Sequence, residues 1–264
     1  MDPVCIYDLA ERLGLEVRFW DVPSMEGVYC CAATPTIVVS SLRPPGRQAF
    51  TCAHELGHHV FGHGDQFDEL VDDRSKARRL DPKEFQADCF AGALLMPRPA
   101  VSRGFSVRGW EPATCPPEGF YVVASWLGVG YTTLIQHMHR ALGMLEGARA
   151  EELRRRNVAA IRARLFDGKC AGNLIVADAR WSSRAIDGQI ADLVLLPPHA
   201  RLEGRCAEIR KRGDTATVAE AVRVGIGRVV TEASDWSAYL RVSRRSYVGR
   251  AKYRFEEDVD DGES

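Results

Sequence analysis

Apolar side chains recur at helical spacing over residues 4–14, VCIYDLAERLG, and Gly14 offers a C-cap that ends the helix. LEVRFWDV then alternates as a strand does, and TIVVS (36–40) is β-branched and strand-like. After the break at RPPG the spacing turns helical again from about Arg47 to Phe61, with Gly62 closing the helix. GDQFDELVDDRSKARRL is charged and reads as a surface loop. Asp81, Pro82 and Glu84 form a helix-start signature, so a helix is expected through FQADCFAGALLM, stopping before Pro97. GWEPATCPPEG is a proline-rich loop, and FYVVASWLGVGYTTLIQHMHRALG predicts two helices about a Gly128-Val129-Gly130 turn. Residues 146–166 read as one arginine-rich helix. From about Lys169 the texture changes to short strands with turns: NLIVAD, ADLVLLPP, TVAEAVRVGIGRVV, SAYLRVS and GRAKYRFE.

These shifts predict an α+β chain in four parts. Residues 1–145 form the first domain, 146–167 a helical linker, 168–255 a small strand-rich (mixed α/β) domain suited to sensing a signal, and 256–264 an acidic tail expected to be disordered. No internal repeat is visible. The 264 residues are enough to bury a real core, and 45% apolar with 27% charged residues is ordinary globular composition. With a formal net charge of -1 the whole molecule is no electrostatic trap for nucleic acid, so any such role needs a local patch. The N-terminus lacks the basic and apolar regions of a signal peptide, and no segment approaches 18 uninterrupted apolar residues. A cytoplasmic protein without a membrane partner is the expectation. The eight cysteines are scattered with no CxxC pair and are expected as reduced thiols, most of them small buried hydrophobes.

Candidate chemistry concentrates in FTCAHELGHHVFGHG. Residues four apart share a helix face, so His54 and His58 can offer two imidazole nitrogens to one zinc ion. Glu55, turned roughly 100° from His54, can stand beside the metal without ligating it, where a general base belongs. This is the HExxH arrangement of metal-assisted hydrolysis. Glu84 and Asp88 also share a face: one can ligate while the other accepts a hydrogen bond from a ligating histidine. Glu84 could instead be the reciprocal half of a capping box with Asp81. His59 and His63 read as surface or otherwise satisfied histidines rather than ligands. The segment is flanked by apolar residues, so its polar side chains are expected to be buried around a shared partner.

RQAFTCAHELGHHVFGH followed by EFQADCFAGALLMP resembles the ImmA/IrrE family of bacterial and phage metallopeptidases, over roughly residues 5–145. Asp88 stands where that family commonly shows asparagine, which moves the motif towards the gluzincin ExxxD form. The resemblance implies a zincin-like fold with one zinc ion per chain, ligated by His54, His58 and Glu84, with Glu55 as base and Asp88 as the acceptor behind a ligating histidine. It also implies a regulatory zinc endopeptidase that cuts a helix-turn-helix repressor encoded nearby, releasing stress, DNA-damage, mobile-element or anti-phage genes. TIVVS is expected as the edge strand on which an extended substrate pairs. Tyr29, Tyr121 and His137 are open candidates for stabilising the oxyanion.

Three further expectations follow. Cys115, in the stiff loop PATCPP, could place a thiolate in the open zinc position as a brake, the alternative being a plain loop cysteine. YLRVSRRSYVGRAKYR (239–254) carries Arg241, Arg244, Arg245, Arg250, Lys252 and Arg254 among three tyrosines. These suit contact with single-stranded or duplex DNA as an activator, the alternative being a solvated strand surface. ASWLGVGYTTLIQHMHRALG also resembles a helix-turn-helix, with Ala124, Gly128 and Leu134 at suitable offsets. A DNA-binding transcription regulator that retains a structural zinc site is therefore the competing function.

Overall fold

A computed structural model describes residues 2–69, 81–166, 172–181, 185–231 and 235–256. Its contacts divide the chain into two compact units, one spanning Met1–Lys169 with Val248–Ala251, the other Cys170–Tyr247 with Lys252–Ser264. Together they make a mixed fold of helices and three small sheets.

The first unit opens with α1 (Ile6–Arg12), β1 (Glu16–Trp20), β2 (Met25–Cys30), β3 (Thr36–Ser40), α2 (Pro45–Val60) and β4 (Gln66–Glu69). It continues with α3 (Pro82–Leu95), α4 (Arg98–Ser106), α5 (Pro117–Leu127), α6 (Tyr131–Arg140), α7 (Gly147–Arg154) and α8 (Val158–Phe166). The second unit carries β5 (Leu174–Val176), β6 (Ile186–Gln189), β7 (Leu193–Leu196), β8 (Ala200–Glu203), β9 (Ala207–Arg212), β10 (Thr217–Ala221), β11 (Gly225–Thr231) and β12 (Ser237–Ser243). A last short strand, β13 (Gly249–Arg250), returns to the first unit's sheet, whose order is β13-β1-β3-β2-β4. No helix among the described residues is long and apolar enough to cross a membrane.

β3 runs parallel to β1 and antiparallel to β2, so it lies inside the sheet, not at its edge. The reason is in its composition: Ile37, Val38 and Val39 are all buried, the continuous apolar run of a strand covered on both faces. The edge on the β2 side of the sheet is β4, which pairs only with β2 among the described residues. β4 is formed by the first part of the charged stretch expected as a loop; residues 70–80 of that stretch lie outside the described residues.

Proline starts α2, and every residue from Thr51 to His58 is buried. Gly62, at φ +67°, turns the chain back after the last turn. At α3, the Asp81 carboxylate accepts a hydrogen bond from the Lys83 N–H at 2.9 Å, the N-cap that the sequence implied. Gly128 is the left-handed C-cap that separates α5 from α6. The arginine-rich segment is two helices rather than one, because the Asn157 side chain accepts from the N–H groups of Ala159 and Ala160 and starts α8 afresh. Both helices are tied to the first unit: the Tyr131 hydroxyl donates to Leu153 O at 2.9 Å, and Arg162 Nε donates to the Tyr121 hydroxyl at 3.1 Å.

The second unit holds two four-stranded sheets, β5-β7-β10-β9 and β6-β12-β11-β8. The fully buried Asp192 ties its turns together, accepting from the N–H groups of Asn173 (2.8 Å) and Gln189 (2.9 Å). Burial raises its carboxyl, and these bonds partly offset the rise. GRAKYRFE, expected as a strand, is one only at Gly249–Arg250; a 3-10 turn follows at Ala251–Tyr253. The acidic tail beyond Glu256 lies outside the described residues.

Candidate metal centre

Helix α2 uses three faces at once. Its 100° advance per residue puts His54 and His58 towards α3, and Thr51, Glu55 and His59 towards β2. Gly57 lies on a third face, against α3 itself. A Cβ on Gly57 would stand 3.1 Å from Ala87 Cα and 3.3 Å from Phe90 Cβ, so the glycine of HELGH is what lets the two helices approach. That approach carries Glu84 to the histidine pair. His54 Nε2 and His58 Nε2 are 3.0 Å apart, Glu84 Oε2 is 3.4 Å from the first, and Glu84 Oε1 is 3.5 Å from the second. One ligand atom from each residue falls within 4.8 Å of the other two.

A tetrahedral ion with ligand bonds of about 2.0–2.1 Å sets its ligand atoms about 3.3–3.4 Å apart. The three separations straddle that value, so the triad could hold a metal ion. The remaining ring nitrogens agree. His54 Nδ1 lies 2.9 Å from Asp88 Oδ1, a pure acceptor when ionised, so Nδ1 carries the proton and Nε2 keeps its lone pair for the shared space. His58 Nδ1 lies 2.9 Å from His63 Nδ1, and His63 Nε2 lies 3.1 Å from Gln86 Oε1. If His63 donates to Gln86, its Nδ1 accepts from His58, and His58 Nε2 likewise faces the shared space with a lone pair. His54, Glu55 and His58 are buried, while the Asp88 side chain remains 64% exposed.

Glu55 points the other way, over β2. A Cβ on Gly27 would stand 2.4 Å from Thr51 Cγ2 and 2.5 Å from Glu55 Oε1, so this carboxylate rests directly on the strand backbone. One turn further on, the Tyr29 hydroxyl lies 2.7 Å from His59 Nδ1. Burial, then a hydrogen bond to Cys31, pushes the Tyr29 phenol up to about 12, so it stays protonated beside His59.

The structure thus brings His54, His58 and Glu84 together, sets Asp88 against His54, leaves Glu55 on the adjoining helix face over β2, and turns Glu84 towards α2 rather than back onto its own N-cap. His59 is satisfied by Tyr29. His63, which the sequence pattern left as a bystander, backs His58; its signal was the glycine before it, which permits the reversal of the chain.

The other candidates are placed elsewhere. His137 donates through Nε2 to Met96 O at 3.0 Å, and its ring fills the space that a side chain at Gly92 would take. Burial lowers its pKa, and the bond to Met96 ties α6 to the end of α3. Tyr121 is bound to Arg162. Cys115 is buried, with its sulfur against Gly119, and is outside the metal-ligating group. Burial pushes its thiol up to about 11. Of the basic stretch, Arg241 makes a bidentate pair with Asp187 (2.6 and 2.8 Å) and Arg254 joins the same carboxylate at 3.1 Å. Arg250 reaches Glu16 (2.7 Å), Arg245 reaches Asp192 (3.4 Å) and Ile190 O (2.8 Å), and Lys252 lies over the Tyr253 ring. Arg244 is exposed. α6, the would-be recognition helix, buries Tyr131, Leu134, Ile135 and Met138 within its own unit.

Residues 10–110, which include every member of the triad and its neighbours, match the family model described as the IrrE N-terminal-like domain, peptidase M78. No curated protein matches the chain. A Mycobacterium tuberculosis transcriptional regulator of known structure is 21% identical across 50% of this chain, with a TM-score of 0.34. This chain spans 39% of that protein, and the likeness is too slight to carry an argument.

Proposed function

We propose, for a chain whose residues 10–110 belong to the ImmA/IrrE family, that it is a zinc-dependent endopeptidase with a zincin-like layout. Membership supports a metallopeptidase-like role and a protein substrate. The observation that carries the finer reading is the His54, His58 and Glu84 triad at metal-ligand spacing, with a buried carboxylate on the adjoining helix face. Zinc, when bound there, supplies a Lewis acid that activates water and polarises the scissile carbonyl. Glu55 acts as general base: it takes a proton from the attacking water as the new C–O bond forms, and gives it to the amine nitrogen as the C–N bond breaks. Asp88 holds the His54 tautomer.

An extended substrate segment pairs with β4, the sheet edge that follows β2, by main-chain hydrogen bonds. Its source is a helix-turn-helix repressor encoded nearby, whose loss releases a stress, DNA-damage, mobile-element or anti-phage operon, with DNA as a candidate trigger. The test is to incubate the full chain with the neighbouring repressor, with and without chelator and DNA, and to sequence the fragments. Glu55→Gln should lower the cleavage rate by about 10²–10⁴-fold while zinc content stays at the wild-type level. A Glu55→Gln chain that keeps its biological effect would favour the regulator instead.

A further inference from the structure

We infer that His63 is a positioning residue of the metal centre, accepting the Nδ1–H of His58 and so aiming the His58 Nε2 lone pair at the space shared with His54 and Glu84. The inference rests on the metal-binding reading above and deepens it. One ligand is then backed by a carboxylate and the other by an imidazole, an asymmetry that the HExxH and ExxxD spacings do not encode.

His63 is held for this task from several sides. Gly62 reverses the chain so that the His63 N–H donates to His58 O at 3.0 Å, and the two rings meet edge-on with centroids 5.0 Å apart. Phe61 stacks on the His63 ring at 5.6 Å and contacts Phe90 of α3. The His63 carbonyl accepts from Gln66 Nε2 (3.1 Å) and Lys83 Nζ (3.3 Å), and Gln86 takes the outer ring nitrogen. A ring fixed in plane, donating outward and accepting inward, leaves His58 one tautomer. A ring that served only as filler would need none of these polar contacts. Because a carboxylate acceptor raises the basicity of a ligating imidazole more than a neutral one does, His54 is the stronger donor of the pair and His58 the weaker.

The experiment measures zinc affinity of the full chain by chelator competition, alongside thermal unfolding of the metal-free protein. His63→Ala should weaken zinc binding by about 10–100-fold and leave metal-free unfolding near the wild-type temperature. His63→Asn, whose amide oxygen occupies nearly the place of Nδ1, should recover most of the loss. Gln86→Ala, at an exposed position, should weaken binding severalfold by freeing the ring to turn, and it tests the same chain of contacts if His63→Ala does not fold. Unchanged affinity in His63→Ala, or in Gln86→Ala where it replaces it, overturns the inference alone. Equal losses in the alanine and asparagine variants, or a loss matched by metal-free destabilisation, also overturn it. A wild-type chain that binds no zinc overturns the metal centre and this inference together.

Discussion

Replacing Gly27 with alanine should silence the chemistry while leaving the metal in place. The added methyl would stand 2.4 Å from Thr51 Cγ2, 2.5 Å from Glu55 Oε1 and 3.2 Å from Glu55 Cδ. Carbon atoms in contact sit about 3.5–4.0 Å apart, so the shortfall against Thr51 exceeds about 1 Å. Neither partner can retreat freely. β2 is hydrogen-bonded on both sides at this position, Gly27 standing opposite Val39 of β3 and Asp68 of β4. On its far side α2 already touches α3 through Gly57. The Glu55 side chain is the softest element, so it swings aside. A displacement of about 1 Å at a reacting group costs on the order of 10²-fold in rate, or about 2.7 kcal/mol at 1.36 kcal/mol per decade. Overpacking adds about 1–3 kcal/mol of destabilisation. His54 and His58 lie on another face, so zinc affinity should stay within about threefold of wild type. The assay is kcat/KM on a peptide spanning the repressor's cut site, with zinc affinity measured on the same preparations. A Gly27→Ala enzyme within twofold of wild type in kcat/KM would show that Glu55 does not need this seat, and the placement of the base would be wrong.

Two other expectations concern the metal and the loop cysteine. Stripping zinc should lower the unfolding temperature: at a thousandfold excess over Kd a bound ion contributes about 4 kcal/mol, roughly 10 °C for a domain of this size. Added zinc should restore it in the wild type but not in His58→Ala, and an unfolding temperature indifferent to chelator would remove the ion from the folded state. For Cys115, burial raises the thiol from 9.0 to about 11. A raised folded pKa means that its contribution is complete below about pH 9 and is lost as pH climbs towards 11, because the unfolded chain releases the proton first. The loss amounts to at most about 3 kcal/mol. Subtracting the unfolding free energy of Cys115→Ala should isolate this slope, whereas a flat difference from pH 8 to 11 would refute it; basal cleavage should be the same in both proteins.

Much of the centre was legible because each part has a local sequence cause. The i, i+4 spacing of His54 and His58, the Asp81-Pro82 start that phases Glu84 and Asp88, and the apolar flanks all act within one or two helical turns. What stayed hidden depends on approach between elements. That Gly57 is a helix contact and Gly27 a seat for Glu55 follows only once α2 lies between α3 and β2. A glycine records permission, and the sequence does not say for what. The misplaced edge strand has the opposite lesson. TIVVS carries no polar residue between Ile37 and Val39, which is the pattern of a strand covered on both sides, and an edge strand beside solvent would have alternated.

The stretch 239–254 shows why a count of cations is not a surface potential. A phosphate contact needs a cation that can give up water for a phosphate without first leaving a carboxylate. Arg241 and Arg254 share Asp187 and close on the Phe255 ring from 4.6 and 4.1 Å, and Arg254 is itself buried. Drawing either towards DNA would strip Asp187 of a paired charge, and that loss offsets the attraction to the phosphate. Arg245 is committed in the same way to the fully buried Asp192 and Arg250 to Glu16. The basic run therefore does most of its electrostatic work inside the fold. The six cations of this stretch therefore do not face solvent as one block.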